Sequence, residues 1–361
     1  MSRLATRLIL FAACAAAYSA AAGAEKPDKR LVRIELEGRP LAGMSLFWSN
    51  SDGVLLLRDG RMRFFHPAEA RGVRRTNDEF RAFTPTRMRN ELTAEFGSDF
   101  EITSTGNYLV VHPPGQGREW GRRFDELYRS FRHFFSVRGL TVKKPPFPLV
   151  AVVFHNREHF LRYTARDLGE PRENVLGYYS PTTNRVAMYD VTAGQDSRAW
   201  FQNAETLIHE ATHQTAFNTG IHNRLRPPPR WVVEGLGMLF ESRGVWDSRH
   251  SARATDRINA QQLALFRRNL PRRPKDAFTR LLTSDRPFET DMTAAYAESW
   301  AWTYYLIETQ PRKYAAYLQK TSQGKPFSEY TSSERLTDFV SVFGSDLLTL
   351  EAQFLRFVEG L

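Results

Sequence analysis

His209-Glu210-Ala211-Thr212-His213 is an HExxH sequence inside a stretch, Ala199 to Thr219, that holds neither Gly nor Pro. Ala204, Leu207, Ile208, Ala211, Thr215 and Ala216 recur there at three- and four-residue steps, which predicts a helix stopped by Gly220. Residues four apart share one helix face, so His209 and His213 aim two imidazoles at one point. That is a divalent-metal clamp. Glu210 starts on the same side and in this pattern binds no metal; it stands beside a water as general base. Imidazole donors favour zinc, which lowers the pKa of a bound water to about 7 and so makes hydroxide available at neutral pH. These residue types fit hydrolysis of a carbonyl. The competing reading is a helix with two ordinary surface histidines.

A third ligand decides between the two readings. A metzincin would place Gly and His soon after the second histidine, but Ala216 and Thr219 occupy those positions. His222 is close in sequence, yet it follows Gly220 in a polar turn at no recognisable ligand spacing. Glu234 lies twenty-one residues past His213 in Trp231-Val232-Val233-Glu234-Gly235-Leu236-Gly237-Met238-Leu239-Phe240-Glu241, a second apolar helix that follows Pro227-Pro228-Pro229. An exposed carboxylate on that helix is the bland alternative.

HEATHQ combined with WVVEGLGMLFE resembles the gluzincins, zinc metallopeptidases whose metal is held by two histidines and a glutamate. The WVVEG segment is similar to the block carrying the third ligand in aminopeptidase-N-like enzymes. The resemblance implies His209, His213 and Glu234 as ligands of Zn2+ and Glu210 as base. Glu241, seven residues beyond Glu234 and on its face, is then placed to orient a histidine. More narrowly, the chain resembles an uncharacterised peptidase-MA-like bacterial family from Phe100 to Leu306. The matching segments are Gly177-Tyr178-Tyr179, the HEATHQ helix, WVVEG and Tyr296-Ala297-Glu298-Ser299-Trp300. That resemblance implies a zincin-like fold with a mixed-sheet lobe, whose edge strand pairs with an extended substrate, and an α-helical lobe. It also brings Tyr296 near the metal, where a phenol would stabilise an oxyanion. Tyr304 and Tyr305 are alternatives for that role.

His155-Asn156-Arg157-Glu158-His159 fits the inverted HxxEH pattern. His155, however, follows directly on the apolar run Leu149 to Phe154, a predicted buried strand, so the two histidines would not share a helix face. Asn156 reads better as an N-cap with Glu158 in the first turn.

The elements that must carry this chemistry are predicted as follows. Arg3 and Arg7 precede an apolar run from Leu8 to Ala17, and Ala22-Gly23-Ala24 offers small residues for a signal-peptidase cut, so residues 1–24 read as a secretory signal. A retained anchor is the alternative. Phe11-Ala12-Ala13-Cys14 resembles a lipoprotein box. Cys14 is the single cysteine, so a chain cut after Ala24 has neither a disulfide nor a thiol nucleophile, and cysteine-protease chemistry is excluded.

Residues 25–90 are expected to form a small SH3-like, β-barrel-like domain and linker. Leu31, Val32, Ile34 and Leu36 alternate with polar residues, Asp59-Gly60 signals a hairpin, and the polar stretch Arg71 to Arg89 reads as linker. Residues 91–361 are expected to form the zincin-like domain that the resemblance implies, making the chain α+β. Hairpins are predicted around Thr105-Gly106-Asn107 and between Val175 and Tyr189, with an amphipathic helix through Phe124, Leu127, Phe131 and Phe134. Further helices are predicted over Ile258 to Phe266, Ala294 to Ile307, Tyr314 to Thr321 and Leu347 to Phe357.

The 361 residues are 42% apolar and 13% aromatic, enough for buried cores in two domains. The formal charge of +10 falls to +8 when Arg3 and Arg7 leave with the leader. Clusters at Arg71, Arg74, Arg75, Arg81, Arg87 and Arg89, and at Arg267, Arg268, Arg272, Arg273 and Lys275, suit an anionic cell-envelope surface or are simply solvated. No aromatic platform accompanies them, so nucleic acid is not an expected partner. The expectation is an exported zinc metallopeptidase, periplasmic or secreted, acting on a peptide or protein. Its rivals are a catalytically inactive zincin scaffold that binds at the envelope and a zinc hydrolase of envelope polymers.

Overall fold

Alternating burial at Leu31, Val32, Ile34 and Leu36 makes β1 (Arg30–Leu36) a strand with one apolar face, and Glu37-Gly38, both at positive φ (52° and 71°), turn it directly into β2 (Arg39–Trp48). In the computed structural model, residues 29–190, 197–247 and 253–361 are described, with backbone alone for 197–203. The expected leader, the residues 1–24 that hold Cys14, lies outside the described residues. Packing divides the chain into two units, one of residues 1–122 and 145–200, the other of 123–144 and 201–361.

In the first unit, β3 (Gly53–Leu57), β4 (Met62–Phe65) and β5 (Arg71–Glu79) complete an antiparallel sheet in the order β4-β3-β2-β1-β5. No closed barrel forms among the described residues; the sheet is open, with β4 and β5 at its edges. The expectation of a barrel-like domain is corrected here, and so is the linker expected from Arg71 to Arg89. That stretch supplies β5 and the start of α1 (Pro85–Phe96). Eight of the nine β5 residues are exposed, so the strand has no apolar face to bury in a barrel seam, and its arginines suit an edge that must not pair further.

The second sheet of this unit holds β6 (Glu101–Ser104), β7 (Tyr108–His112), β8 (Leu149–Phe154), β9 (Gly177–Ser180) and β10 (Arg185–Tyr189), ordered β6-β7-β8-β10-β9. Its centre is parallel, Leu109 beside Val150 and Ala151 beside Val186, and its two edges are antiparallel. Parallel neighbours need crossovers, supplied by α2 (Gly117–Ser136) and α3 (Arg157–Leu168). Leu109, Val111, Val150, Val152, Phe154 and Phe160 form the core beneath it. The two sheets are joined by a hydrogen bond from Met62 N to Thr182 O, 2.8 Å.

The second unit is helical. It contains α4 (Ser197–Thr219), α5 (Arg230–Phe240), α6 (Arg243–Trp246), α7 (Ala260–Asn269), α8 (Ala277–Thr283), α9 (Pro287–Thr290), α10 (Met292–Thr309), α11 (Pro311–Thr321), α12 (Ser332–Phe343) and α13 (Leu347–Glu359). From Ala295 to Ile307 every residue of α10 is buried, and Trp302 stacks between Phe278 and Phe354. Gly235 lets α5 lie against α10: a Cβ there would come 2.1 Å from Thr303 Oγ1 and 2.5 Å from the Ser299 carbonyl oxygen. Phe131 and Phe134 of α2 hold the end of α5 through Phe240, with ring centroids 5.1 Å apart in each pair. Among the described residues no helix is long and apolar enough to cross a membrane.

Candidate metal centre

The helix spacing brings His209 and His213 together on α4, their ring centroids 4.5 Å apart, and both are buried. Pro229 sits at the N-cap of α5, whose second turn carries Glu234, also fully buried. Gly237 permits this approach. A Cβ at that position would lie 2.8 Å from His209 Cε1 and 3.0 Å from His213 Cε1.

The ligand atoms of His209, His213 and Glu234 all lie within 4.8 Å of one another. Nε2 of His209 is 2.9 Å from Nε2 of His213, and Glu234 Oε2 is 3.5 and 3.8 Å from those two nitrogens. Donors about 2.0–2.2 Å from a tetrahedral zinc stand about 3.3–3.5 Å apart, and the three separations straddle that range. Glu234 Oε2 and His213 Nδ1 are buried with no hydrogen-bond partner. A buried carboxylate oxygen facing two imidazole nitrogens is costly unless a cation satisfies it. The donor set therefore fits a divalent metal with nitrogen and oxygen ligands.

Second partners fix these ligands. Glu241, the C-cap residue of α5, accepts from His209 Nδ1 at 2.8 Å, which turns Nε2 toward the cluster. Glu241 Oε2 in turn accepts from Asn259 Nδ2 at 3.0 Å, while Asn259 Oδ1 caps α7 by accepting from Gln262 N at 3.2 Å. Arg230, one turn before Glu234, donates from Nε to Glu234 Oε1 at 3.4 Å and so leaves Oε2 to the histidines.

Charge follows from burial. For His209 burial opposes protonation, yet the carboxylates of Glu234, Glu241 and Glu210 outweigh it and raise the imidazole to about 9. His213 is held well below the ordinary value by burial first, and then by the positive charges of His209 and Arg230. Three buried carboxylates, Glu210, Glu234 and Glu241, thus share this site with one guanidinium and draw positive charge onto His209.

Glu210 is 2% exposed, and its charge is felt by both His209 and Tyr296. Tyr296 on α10 reaches the same cluster. Its ring lies 5.5 Å from that of Phe288 and 6.0 Å from the Arg230 guanidinium carbon. Burial, followed by the Glu234 charge, raises its phenol well above the usual value, so the proton stays on oxygen. The other two tyrosines face elsewhere: Tyr304 donates to Ala254 O at 3.0 Å and Tyr305 to Gln353 Oε1 at 3.5 Å. His222 lies outside the ligand group, with its ring edge-on to Phe217 at 5.2 Å. The HxxEH histidines are used locally. Asn156 caps α3 by accepting from His159 N at 3.0 Å, and His155 Nε2 lies 3.2 Å from Asp99 O.

Sequence reasoning missed Arg230 and Asn259. Arg230 carried a signal, since it stands four residues before Glu234 on one helix face. Asn259 offered only an N-cap residue type ahead of an apolar stretch.

Residues 203–328 match the family described as "Protein of unknown function (DUF1570)". No curated protein matches the chain. Among solved structures, the chain is similar to the crystal structure of a mutant M1 zinc metallopeptidase from Deinococcus radiodurans, with 14% identity and a TM-score of 0.39. That similarity covers 72% of this chain, which spans 50% of the other protein's length.

Proposed function

We propose that this protein is an exported zinc-dependent metallopeptidase that cleaves peptide bonds in a peptide or protein substrate at the cell envelope. The observation that carries the reading is the convergence of His209 Nε2, His213 Nε2 and Glu234 Oε2 beside a buried Glu210. Zinc held by these three residues supplies a Lewis acid that polarises a carbonyl oxygen and acidifies water.

Glu210 takes the proton of the attacking water and passes it to the leaving amine, so no acyl-enzyme forms. Tyr296, kept protonated, donates to the developing oxyanion. Arg230 holds one oxygen of Glu234 and Glu241 holds the Nδ1 proton of His209, so neither ligand has to be reoriented when the metal binds. An inactive binding scaffold has no chemical use for Glu210, which favours catalysis over that alternative.

The test combines elemental analysis of purified protein with a screen on unstructured protein and peptide substrates. About one zinc per chain is expected, weakened by Glu234→Ala, with hydrolysis lost in a zinc-loaded Glu210→Gln protein. Full hydrolysis by Glu210→Gln removes that residue from the mechanism, and absence of zinc after reconstitution removes the catalytic reading altogether.

A further inference from the structure

A cavity of about 830 Å³ opens in the helical unit, bounded by the end of α7, by α8 and by the first turns of α10. Its size falls within the range of small-molecule sites, about 300–1,000 Å³. Phe266, Ala277, Leu281, Pro287, Ala294 and Ala295 give it an apolar lining. Around them stand Arg272, Arg273, Arg280 and Arg286.

The wall's acidic groups are already engaged. Glu298 accepts two hydrogen bonds from Arg273 Nε, at 3.1 and 2.9 Å, and one from Trp302 Nε1 at 2.9 Å, while Asp291 caps α10 by accepting from Ala294 N at 3.0 Å. Its hydroxyls are also used locally: Thr283 donates to Thr279 O at 2.8 Å, and Ser284 accepts from Arg286 N at 3.1 Å. Arg280 pairs with the exposed Asp276. Arg272 and Arg286 are exposed, and neither has an ion-pair partner among the described residues. The lining thus combines apolar side chains with two exposed guanidiniums that have no ion-pair partner among the described residues.

The geometry points to a binding site for a single-chain anionic amphiphile, its apolar chain on the alanine and proline floor and its carboxylate or phosphate between Arg272 and Arg286. A guanidinium presents a planar fork of donors that matches either head group. An apolar chain alone would leave both arginines unused, and a small anion alone would leave the floor wet. This site uses no residue of the metal centre and stands whether or not that centre is catalytic.

Calorimetric titration of the full chain tests the proposal, with dodecanoate and dodecyl phosphate as probes below their critical micelle concentrations. One saturable event per chain is expected for at least one of them, and the tighter of the two identifies the head group. Neutral dodecyl maltoside, and acetate or inorganic phosphate without a chain, are each expected to bind about tenfold or more weakly.

Arg272→Glu combined with Arg286→Glu is expected to weaken the anionic amphiphile by about tenfold or more with thermal unfolding unchanged. Ala294→Leu, which fills the floor without altering charge, is expected to weaken it as well. No saturable binding of either probe, equal binding of dodecyl maltoside, or indifference to both changes overturns the assignment.

Discussion

Glu241 Oε1 lies 2.8 Å from His209 Nδ1, and this one contact sets which nitrogen of His209 faces the metal cluster. Glu241 is itself held by Asn259, so the order passes from the cap of α7 through α5 to α4. Removing the acceptor frees the imidazole to change tautomer. Glu241→Ala is expected to weaken zinc by about 10- to 100-fold, and Glu241→Gln, which keeps an acceptor oxygen, by less. Competition against a chromogenic chelator measures both, and equal loss in the two variants would deny Glu241 its orienting role.

The two glycines of α5 are expected to fail differently. At Gly235 an added Cβ meets backbone, 2.5 Å from Ser299 O, so α5 and α10 must part. Gly235→Ala should cost about 3 kcal/mol or more of stability. At Gly237 the added Cβ meets the imidazoles, 2.8 Å from His209 Cε1 and 3.0 Å from His213 Cε1. Gly237→Ala should displace the rings and weaken zinc by about tenfold or more, with a smaller loss of stability. Urea unfolding of the zinc-free proteins, set beside chelator competition, separates the two effects; the opposite ranking would show that the α5 packing is misassigned.

Arg230 is the guanidinium beside Glu234, and its Nε holds Oε1 while Oε2 faces the histidines. Without it, Glu234 is a buried carboxylate free to rotate and short of a hydrogen-bond donor. Arg230→Met is expected to weaken zinc by about tenfold, and Arg230→Lys by less because charge remains while the forked geometry is lost. Zinc affinity unchanged in Arg230→Met would mean that the metal alone orders Glu234.

The metal cluster was legible because its chemistry is written in short spacings. His209 and His213 are four apart on one helix, and Glu234 lies in a conspicuously apolar second one. Supporting partners were less so, since Asn259 meets Glu241 only through tertiary packing, and no local pattern encodes that. The N-terminal sheet was misread for a related reason: β5 buries almost nothing, so a strand held by edge pairing to β1 looks like a linker when judged by polarity. Helix α12 was not predicted, although Thr331 and Glu334 form a capping box at its start. Its few buried residues, Phe339 alone fully so, left its periodicity weak.

His222 predicts how the fold responds to acid. Its ring is buried against Phe217, and burial lowers its pKa to about 3 from an ordinary value of 6.5, so the folded chain keeps it neutral. Below pH 6.5 the unfolded chain takes up a proton that the folded chain refuses, so the contribution of His222 to stability is complete above that pH. It is lost progressively as the pH falls toward about 3, where the folded state protonates too. The loss amounts to a few kcal/mol, on the order of 1.4 per pKa unit. Asn in its place keeps a donor near the position of Nδ1 but cannot titrate. The urea midpoint of zinc-free protein, followed from pH 8 to pH 4, is therefore expected to fall more steeply for the native chain than for His222→Asn. His222 also acts on the buried His213, so the difference between the curves reports the pair, and parallel curves would show that the imidazole is solvated.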